Sequence, residues 1–119
     1  MQLNHLSLAV PAVAETTAFF ETYFGFKCIA VKGDNVISVL QGENDFTLVL
    51  SRLKNGDTAY PADFHIGFML KDMQSVTAIY NALQQGGIAV KDEPRKIRDT
   101  ISFYFMAPGG FMVEVGCPA

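Results

Sequence analysis

Two histidines and one glutamate stand out because each interrupts a segment that is otherwise largely apolar. His5 lies in LNHLSLAV, His65 in FHIGFML and Glu114 in GFMVEVG. Apolar residues alternate with other residues in all three segments, which is typical of a β-strand with one buried face. A carboxylate in the middle of such a strand is costly to bury unless it is paired or bound to a metal. Two imidazoles and one carboxylate are also the donors of a common divalent-metal site with open coordination positions, so we predict these three residues as metal ligands.

The elements that must position these residues occur twice. The first series is the strand at 3–10, the helical pattern PAVAETTAFFETYFG ending at Gly25, and the strand-like stretches FKCIAV, NVISVL and DFTLVL. The second is FHIGFML, then the helical pattern KDMQSVTAIYNALQQGG with Asp72 as N-cap and Gly86 as its end. Strand-like segments near 88–90, 101–106 and 111–116 follow. His5 and His65 occupy the same place in the two series, which favours a duplication.

This order of elements predicts an α+β fold of two βαβββ modules that form cupped mixed sheets. The modules would span residues 1–52 and 63–119 of a single domain, with a turn-rich linker at 53–62. Each helix can cover only one face of its sheet, so the histidines would lie on the opposite, inner face. A lone histidine near a strand end is ordinarily a rim or core residue. Glu114, taken alone, is explained equally well as a solvated carboxylate at the open mouth of the sheet. The matched placement of both histidines favours ligation.

Composition limits the classes of partner. The chain has 119 residues and a net charge of −3, without a face-wide cluster of Lys and Arg, which argues against nucleic acid and anionic membranes. Apolar runs stay below the roughly 18 residues that span a bilayer. The stretch LSLAVPAVA imitates a signal peptide but lacks preceding positive charges and is interrupted by Pro11. Cys28 and Cys117 favour free thiols in a reducing cytoplasm, with a single disulfide as the alternative.

Three segments resemble the vicinal oxygen chelate superfamily: LNHLSLAV with FFETYFGF, FHIGFML, and FYFMAPGGFMVEVG. Its members include glyoxalase I, the extradiol dioxygenases, the fosfomycin-resistance thiol transferases and the bleomycin-resistance proteins. The resemblance covers nearly the whole chain and implies the glyoxalase/bleomycin-resistance-like fold, a small-molecule substrate, and a divalent ion such as Mn, Fe, Ni or Zn. It further implies a homodimer in which His5 shares its metal with His65 and Glu114 of a partner chain.

Departures from individual members narrow the choice of reaction. In glyoxalase I an acidic ligand on the last strand of the first module serves as the base. In this chain the corresponding position, which matches Glu114 of the second module, is Val49. Thr47, Val49 and Ser51 would face inward, and none can carry a proton at neutral pH. Glyoxalase I and epimerase chemistry are therefore disfavoured. Extradiol dioxygenases keep a further histidine, and this chain has only two.

The segment RKIRDTISFYFMAPGGFMVE is nearest to the fosfomycin-resistance thiol transferases, whose metal acts as a Lewis acid while a cosubstrate supplies the thiol. By this resemblance Tyr104 and Ser102 would act as catalytic residues that hydrogen-bond the substrate. Ser7, Val49 and Arg98 would line the substrate site. Against it, the chain stops at VGCPA where those enzymes continue, and the usual Asp-Pro-Asp-Gly turn is Ala-Pro-Gly-Gly. Arg98 also has the simpler interpretation of a solvated loop residue.

Two functions remain open. The first is a metal-dependent enzyme that binds one or two oxygens of a small substrate, with thiol-transfer or lyase chemistry. The alternative is a metal-free protein of the bleomycin-resistance kind that sequesters a drug-like molecule. Met69, Met106 and Met112 fall on the inner face in both cases and predict a partly apolar, adaptable pocket.

Overall fold

The computed structural model describes residues 1–54 and 60–119. Its contacts divide the chain into two compact units, Met1–Ala59 and Tyr60–Ala119. The boundary falls inside the predicted linker, of which residues 55–59 lie outside the described residues. Each unit is built from one helix and one four-stranded sheet.

The first unit has the order β-α-β-β-β. Its elements are β1 (His5–Val10), α1 (Val13–Phe24), β2 (Lys27–Lys32), β3 (Ile37–Gln41) and β4 (Thr47–Arg52), with a 3-10 turn at Glu43–Asp45. The strands lie in the order β1-β4-β3-β2. β1 is parallel to β4, and the other pairs are antiparallel.

The second unit repeats this arrangement. Its elements are β5 (His65–Met69), α2 (Met73–Gln85), β6 (Arg95–Ile97), β7 (Thr100–Met106) and β8 (Met112–Pro118). The strands lie in the order β5-β8-β7-β6, with β5 parallel to β8. The predicted α+β class with two βαβββ modules is confirmed, and both sheets are mixed.

Alternating burial shows why these segments form strands. In β1, Leu8 and Val10 are buried, whereas His5 and Ser7 are exposed. Each fully buried Leu, Val or Phe side chain stabilises the fold by about 1.5–3 kcal/mol. The sheets contribute most of the large buried residues, and the helices add a few: Leu8, Val10, Leu40, Leu48, Leu50, Phe103, Val113 and Val115 from strands, and Phe20, Val76 and Leu83 from helices.

The helix ends follow local chemistry. The Asp72 carboxylate accepts a hydrogen bond from the Ser75 amide at 2.8 Å, so the predicted N-cap of α2 is confirmed. Gly25 caps α1 with a φ of 70°, a left-handed conformation that favours glycine. At the end of α2, Gly86 is the capping residue as predicted, but the left-handed position belongs to Gly87, whose φ is 81°.

The strand predicted near 88–90 is wrong. The Ile88 amide donates to the Leu83 carbonyl at 2.9 Å, so this stretch still completes the end of α2. Val90 is buried without joining the sheet. The second strand of the unit is instead β6, which pairs with β7 across a tight turn at Arg98, a residue with a φ of 54°. An apolar run signals burial, and here burial comes without strand pairing.

Two further observations limit the alternatives raised by the sequence. Cys28 and Cys117 are free thiols, so the alternative disulfide does not form. Within residues 1–54 and 60–119, the helices are too short or too polar to cross a membrane.

Candidate functional site

The face of the second sheet that lies opposite α2, called here the open face, carries most of the predicted site residues. It is formed by alternate residues of three paired strands: His65, Gly67 and Met69 of β5, Met112, Glu114 and Gly116 of β8, and Ser102, Tyr104 and Met106 of β7. The register places them in three rows across the sheet. The first row is His65–Met112–Met106, the second is Gly67–Glu114–Tyr104, and the third is Met69–Gly116–Ser102.

The structure brings His65 and Glu114 together on adjacent parallel strands. The Nε2 atom of His65 lies 3.6 Å from the Oε1 atom of Glu114, and their side chains are 39% and 20% exposed. Gly67 stands directly opposite Glu114 in the register. Because a Cβ atom at Gly67 would lie 3.6 Å from Oε1, glycine leaves open space beside the carboxylate. A nitrogen and an oxygen donor therefore share a half-open site.

The other ring nitrogen of His65 is already engaged. Its Nδ1 atom lies 3.1 Å from the backbone carbonyl of Asp63. A carbonyl only accepts hydrogen bonds, so Nδ1 carries a proton, and in the neutral ring it is Nε2 that holds the lone pair and faces Glu114. This is the tautomer that a metal ligand needs.

Tyr104 stands beside the same carboxylate. It pairs with Glu114 in the register and donates a hydrogen bond to it, and its ring meets that of His65 edge-on with centroids 5.4 Å apart. Desolvation raises the pKa of Tyr104, the hydrogen bond and charge of Glu114 raise it further, and the positive charge of Arg98 opposes both. The phenol is consequently protonated at neutral pH and acts as a donor.

Ser102 lies in the third row, and its position differs from the one that the sequence suggests for a residue in contact with substrate. Its side chain is 0% exposed, and its Oγ atom lacks a hydrogen-bond partner among the described residues. It packs closely over Gly116, where a Cβ atom would come within 2.8 Å of the Ser102 Cβ. A buried unpaired hydroxyl costs about 1–3 kcal/mol, which a ligand that reached it would recover. Such a ligand would have to displace neighbouring side chains first.

Arg98 supplies positive charge on the same side. It is exposed at the turn between β6 and β7, and its charge acts on the Tyr104 hydroxyl. Arg95 adds a second cation in register with Ser102.

In the first unit, His5 is exposed at the start of β1, and its Nδ1 lies 2.8 Å from the Oδ1 atom of Asn4. Ser7 and Val49 are paired in the register just as Gly67 and Glu114 are in the second unit. Val49 thus stands where the other sheet has its carboxylate, which is the match that the sequence suggests. Ser7 is exposed and Val49 is half-buried.

The donor atoms fit a divalent metal. A separation of 3.6 Å lies within the span that one ion bridges with bonds of about 2.0–2.2 Å to nitrogen and oxygen. The second unit alone supplies two donors. Among the described residues, no group of three or more His, Cys, Asp or Glu side chains is placed so that it could hold a metal ion.

Sequence reasoning missed the groups that hold the imidazoles. The Asp63 carbonyl is a backbone atom that carries no sequence signal. Asn4 was present as a polar residue directly before His5, and this was a usable signal.

Comparison with known proteins places these observations in a family. The family model described as Glyoxalase/Bleomycin resistance protein/Dioxygenase superfamily matches residues 2–115. A solved structure of a possible glyoxalase from Bacillus cereus is 37% identical, with 98% of this chain and 99% of that chain covered and a TM-score of 0.86. Among proteins with curated descriptions, none matches the chain.

Two more distant structures share the fold. A glyoxylase/bleomycin resistance protein/dioxygenase domain from Frankia sp. EAN1pec is 16% identical, covers 100% of this chain and 98% of its own, and has a TM-score of 0.83. Lactoylglutathione lyase from Agrobacterium tumefaciens is 19% identical, with coverages of 98% and 92% and a TM-score of 0.76. The predicted glyoxalase/bleomycin-resistance-like fold is therefore confirmed. The chain belongs to the Glyoxalase/Bleomycin resistance protein/Dioxygenase superfamily.

Proposed function

We propose that the protein is a metal-dependent enzyme that acts on a small oxygen-bearing substrate, with His5, His65 and Glu114 as ligands of a divalent ion such as Mn, Fe, Ni or Zn. The observation that carries the proposal is the 3.6 Å approach of His65 Nε2 to Glu114 Oε1 on neighbouring strands. A half-buried carboxylate beside an imidazole with a free lone pair suits a cation better than it suits packing.

The bound ion would act as a Lewis acid, polarising a substrate oxygen and stabilising the negative charge that develops there. Tyr104 would orient the substrate, since its hydroxyl is protonated at neutral pH and lies beside Glu114. Arg98 would attract an anionic part of the substrate, since its positive charge acts on the Tyr104 hydroxyl. This division of labour is compatible with thiol transfer or lyase chemistry, in which the protein need not supply a basic histidine.

The remaining predicted residues have secondary places in the proposal. Ser102 would bond a substrate atom only after its neighbours move, since it is fully buried. Ser7 and Val49, paired on the first sheet, would provide a small and largely apolar wall. We further propose, from the family resemblance, that the protein is a homodimer and that His5 completes the donor set from a second subunit.

Metal analysis tests the ligand set. Protein purified without added metal is measured by elemental analysis and then titrated with Mn, Fe, Ni and Zn by calorimetry. We expect near-stoichiometric binding of one of these ions, and affinity at least roughly 100-fold lower in Glu114→Gln and His65→Ala. Glu93→Gln, which changes an exposed carboxylate in the loop before β6, should bind as the wild type does. Wild-type protein that takes up none of the four ions would refute the proposal.

A second candidate is the sequestration of an apolar small molecule without metal. The observation that favours it is the exposure of Met69 and Met106 on the open face, 59% and 57% respectively. Adaptable thioether side chains of this kind suit promiscuous apolar ligands. A ligand that raises the melting temperature equally with and without a chelator would support this function over the metal-dependent one.

A further inference from the structure

The two histidines engage the same ring nitrogen. In His65 the Nδ1 atom meets the Asp63 carbonyl at 3.1 Å, and in His5 it meets the Asn4 side-chain oxygen at 2.8 Å. Both partners are oxygen atoms that only accept hydrogen bonds. In its neutral form each imidazole therefore carries its proton on Nδ1 and leaves Nε2 unprotonated. For His65 the free nitrogen is the one that faces Glu114.

The two contacts differ in what supports them. The acceptor for His65 belongs to the backbone, so substitution at position 63 leaves it in place. The acceptor for His5 is a side chain, which makes the ring state of His5 depend on one residue. The backbone of that residue is anchored, because the Asn4 carbonyl accepts a hydrogen bond from the Thr47 amide at 2.9 Å. The amide group is thus held at the start of β1, next to the ring that it contacts.

We propose that Asn4 is a positioning residue, whose side-chain oxygen holds the ring proton of His5 on Nδ1 and so directs the Nε2 lone pair outward as a metal ligand. The inference rests on the proposed function in so far as it assigns His5 to the ion. Its structural part, the fixed tautomer and orientation of the His5 ring, does not require a metal and is tested in the metal-free protein. Acceptors of this kind usually change metal affinity by roughly 10–100-fold when they are removed.

Nitrogen NMR of metal-free protein labelled with ¹⁵N-histidine tests the inference directly. The chain has two histidines, so only two sets of ring signals arise, and comparison with His5→Ala assigns them. Spectra are recorded at a pH at which both rings are neutral. In the wild type we expect protonated Nδ1 and unprotonated Nε2 in both rings. In Asn4→Ala the proton of His5 should become shared between its two nitrogens, while His65 stays unchanged as an internal control.

Two variants separate positioning from a general structural effect. Asn4→Asp keeps an acceptor at the same place and should restore the Nδ1-protonated ring of His5. Asn81→Ala removes an exposed amide from α2 and should leave both rings as in the wild type. A His5 signal that is identical in the wild type and Asn4→Ala overturns the inference, as does a wild-type ring protonated on Nε2. Because these spectra need no metal, the proposed function can fail in the metal titration while the role of Asn4 is still decided.

Discussion

At the scale of single residues, the open face depends on glycines as much as on donors. Gly67 leaves space beside the Glu114 carboxylate, and Gly116 allows Ser102 to pack over it. The two positions lie on the same face of neighbouring strands, Gly67 on β5 and Gly116 on β8. An added methyl group would clash with its neighbours at Gly116 but would make only an ordinary contact at Gly67. Gly116 is therefore required for packing, whereas Gly67 only leaves room beside the carboxylate.

Gly116→Ala should destabilise the protein because its Cβ would come within 2.8 Å of the Ser102 Cβ and 3.1 Å of the Ile101 carbonyl oxygen. We expect the free energy of unfolding, measured by chemical denaturation, to fall by about 1–3 kcal/mol. Gly67→Ala is the matched control, since its nearest contact is an ordinary 3.6 Å. The double variant with Ser102→Gly should recover part of the loss. Wild-type stability in Gly116→Ala would contradict the packing described for Ser102.

How much of the site could be predicted depends on what strand alternation conveys. Alternation alone assigns His65, Glu114 and Tyr104 to one face, and the structure places them together. It says nothing of depth, and Ser102 shares that face while being fully buried. Of the two atoms that hold the rings, the Asp63 carbonyl has no side-chain signature in the sequence. Asn4 is visible beside His5 as a polar residue, but whether the two side chains meet depends on their rotamers.

At the scale of elements, the strands and helices carry clear local signals where turn chemistry agrees with apolar periodicity. Gly25 and Asp72 end and begin helices as their residue types dictate. The predicted strands that start at 35 and 45 begin two residues later, because Asn35 and Asp45 adopt positive φ values and form turns. The strand predicted near 88–90 is wrong, because those residues complete the end of α2 and Val90 is buried outside the sheet.

The Asp72 cap of α2 makes the stability of the fold depend on pH. Hydrogen bonding to Ser75 lowers the pKa of Asp72 below its ordinary value of 3.8. A lowered pKa means that the stabilisation is present above the unfolded-state pKa and is lost as the pH falls through the folded-state pKa. Asp72→Ala should therefore have a lower melting temperature than the wild type at pH 7, and the difference should shrink below about pH 4.

Thermal melts across pH 2–8 measure this effect, with Asp92→Ala as the control for removal of an exposed carboxylate outside the helix. The control should follow the wild-type profile at neutral pH. A difference between wild type and Asp72→Ala that stays constant from neutral to acid would show that the carboxylate charge contributes nothing to the cap.

At the scale of the whole molecule, the proposal that His5 comes from a second subunit predicts complementation. His5→Ala and His65→Ala carry their losses in different units, so a mixed dimer would retain one complete donor set. We expect each homodimer to bind the ion at least roughly 100-fold more weakly than the wild type, and the purified mixed dimer to bind one ion with wild-type affinity. The mixed dimer of His65→Ala with Glu114→Gln is the matched control, because it has no complete set in any pairing. Zero binding by the first mixture would exclude sharing between subunits.

The parallel pairing of β5 with β8 links metal binding to the stability of the fold. α2, β6 and β7 separate the two strands along the chain, so the imidazole and the carboxylate meet only after long-range folding. A cation that grips both groups distinguishes native from denatured chains, and at 100 times its dissociation constant it adds about 2.7 kcal/mol of stability. Under the proposed function, a shortage of metal would therefore lower the activity of the protein. It would also lower the amount of protein, because less stable chains unfold more often and are degraded by proteases.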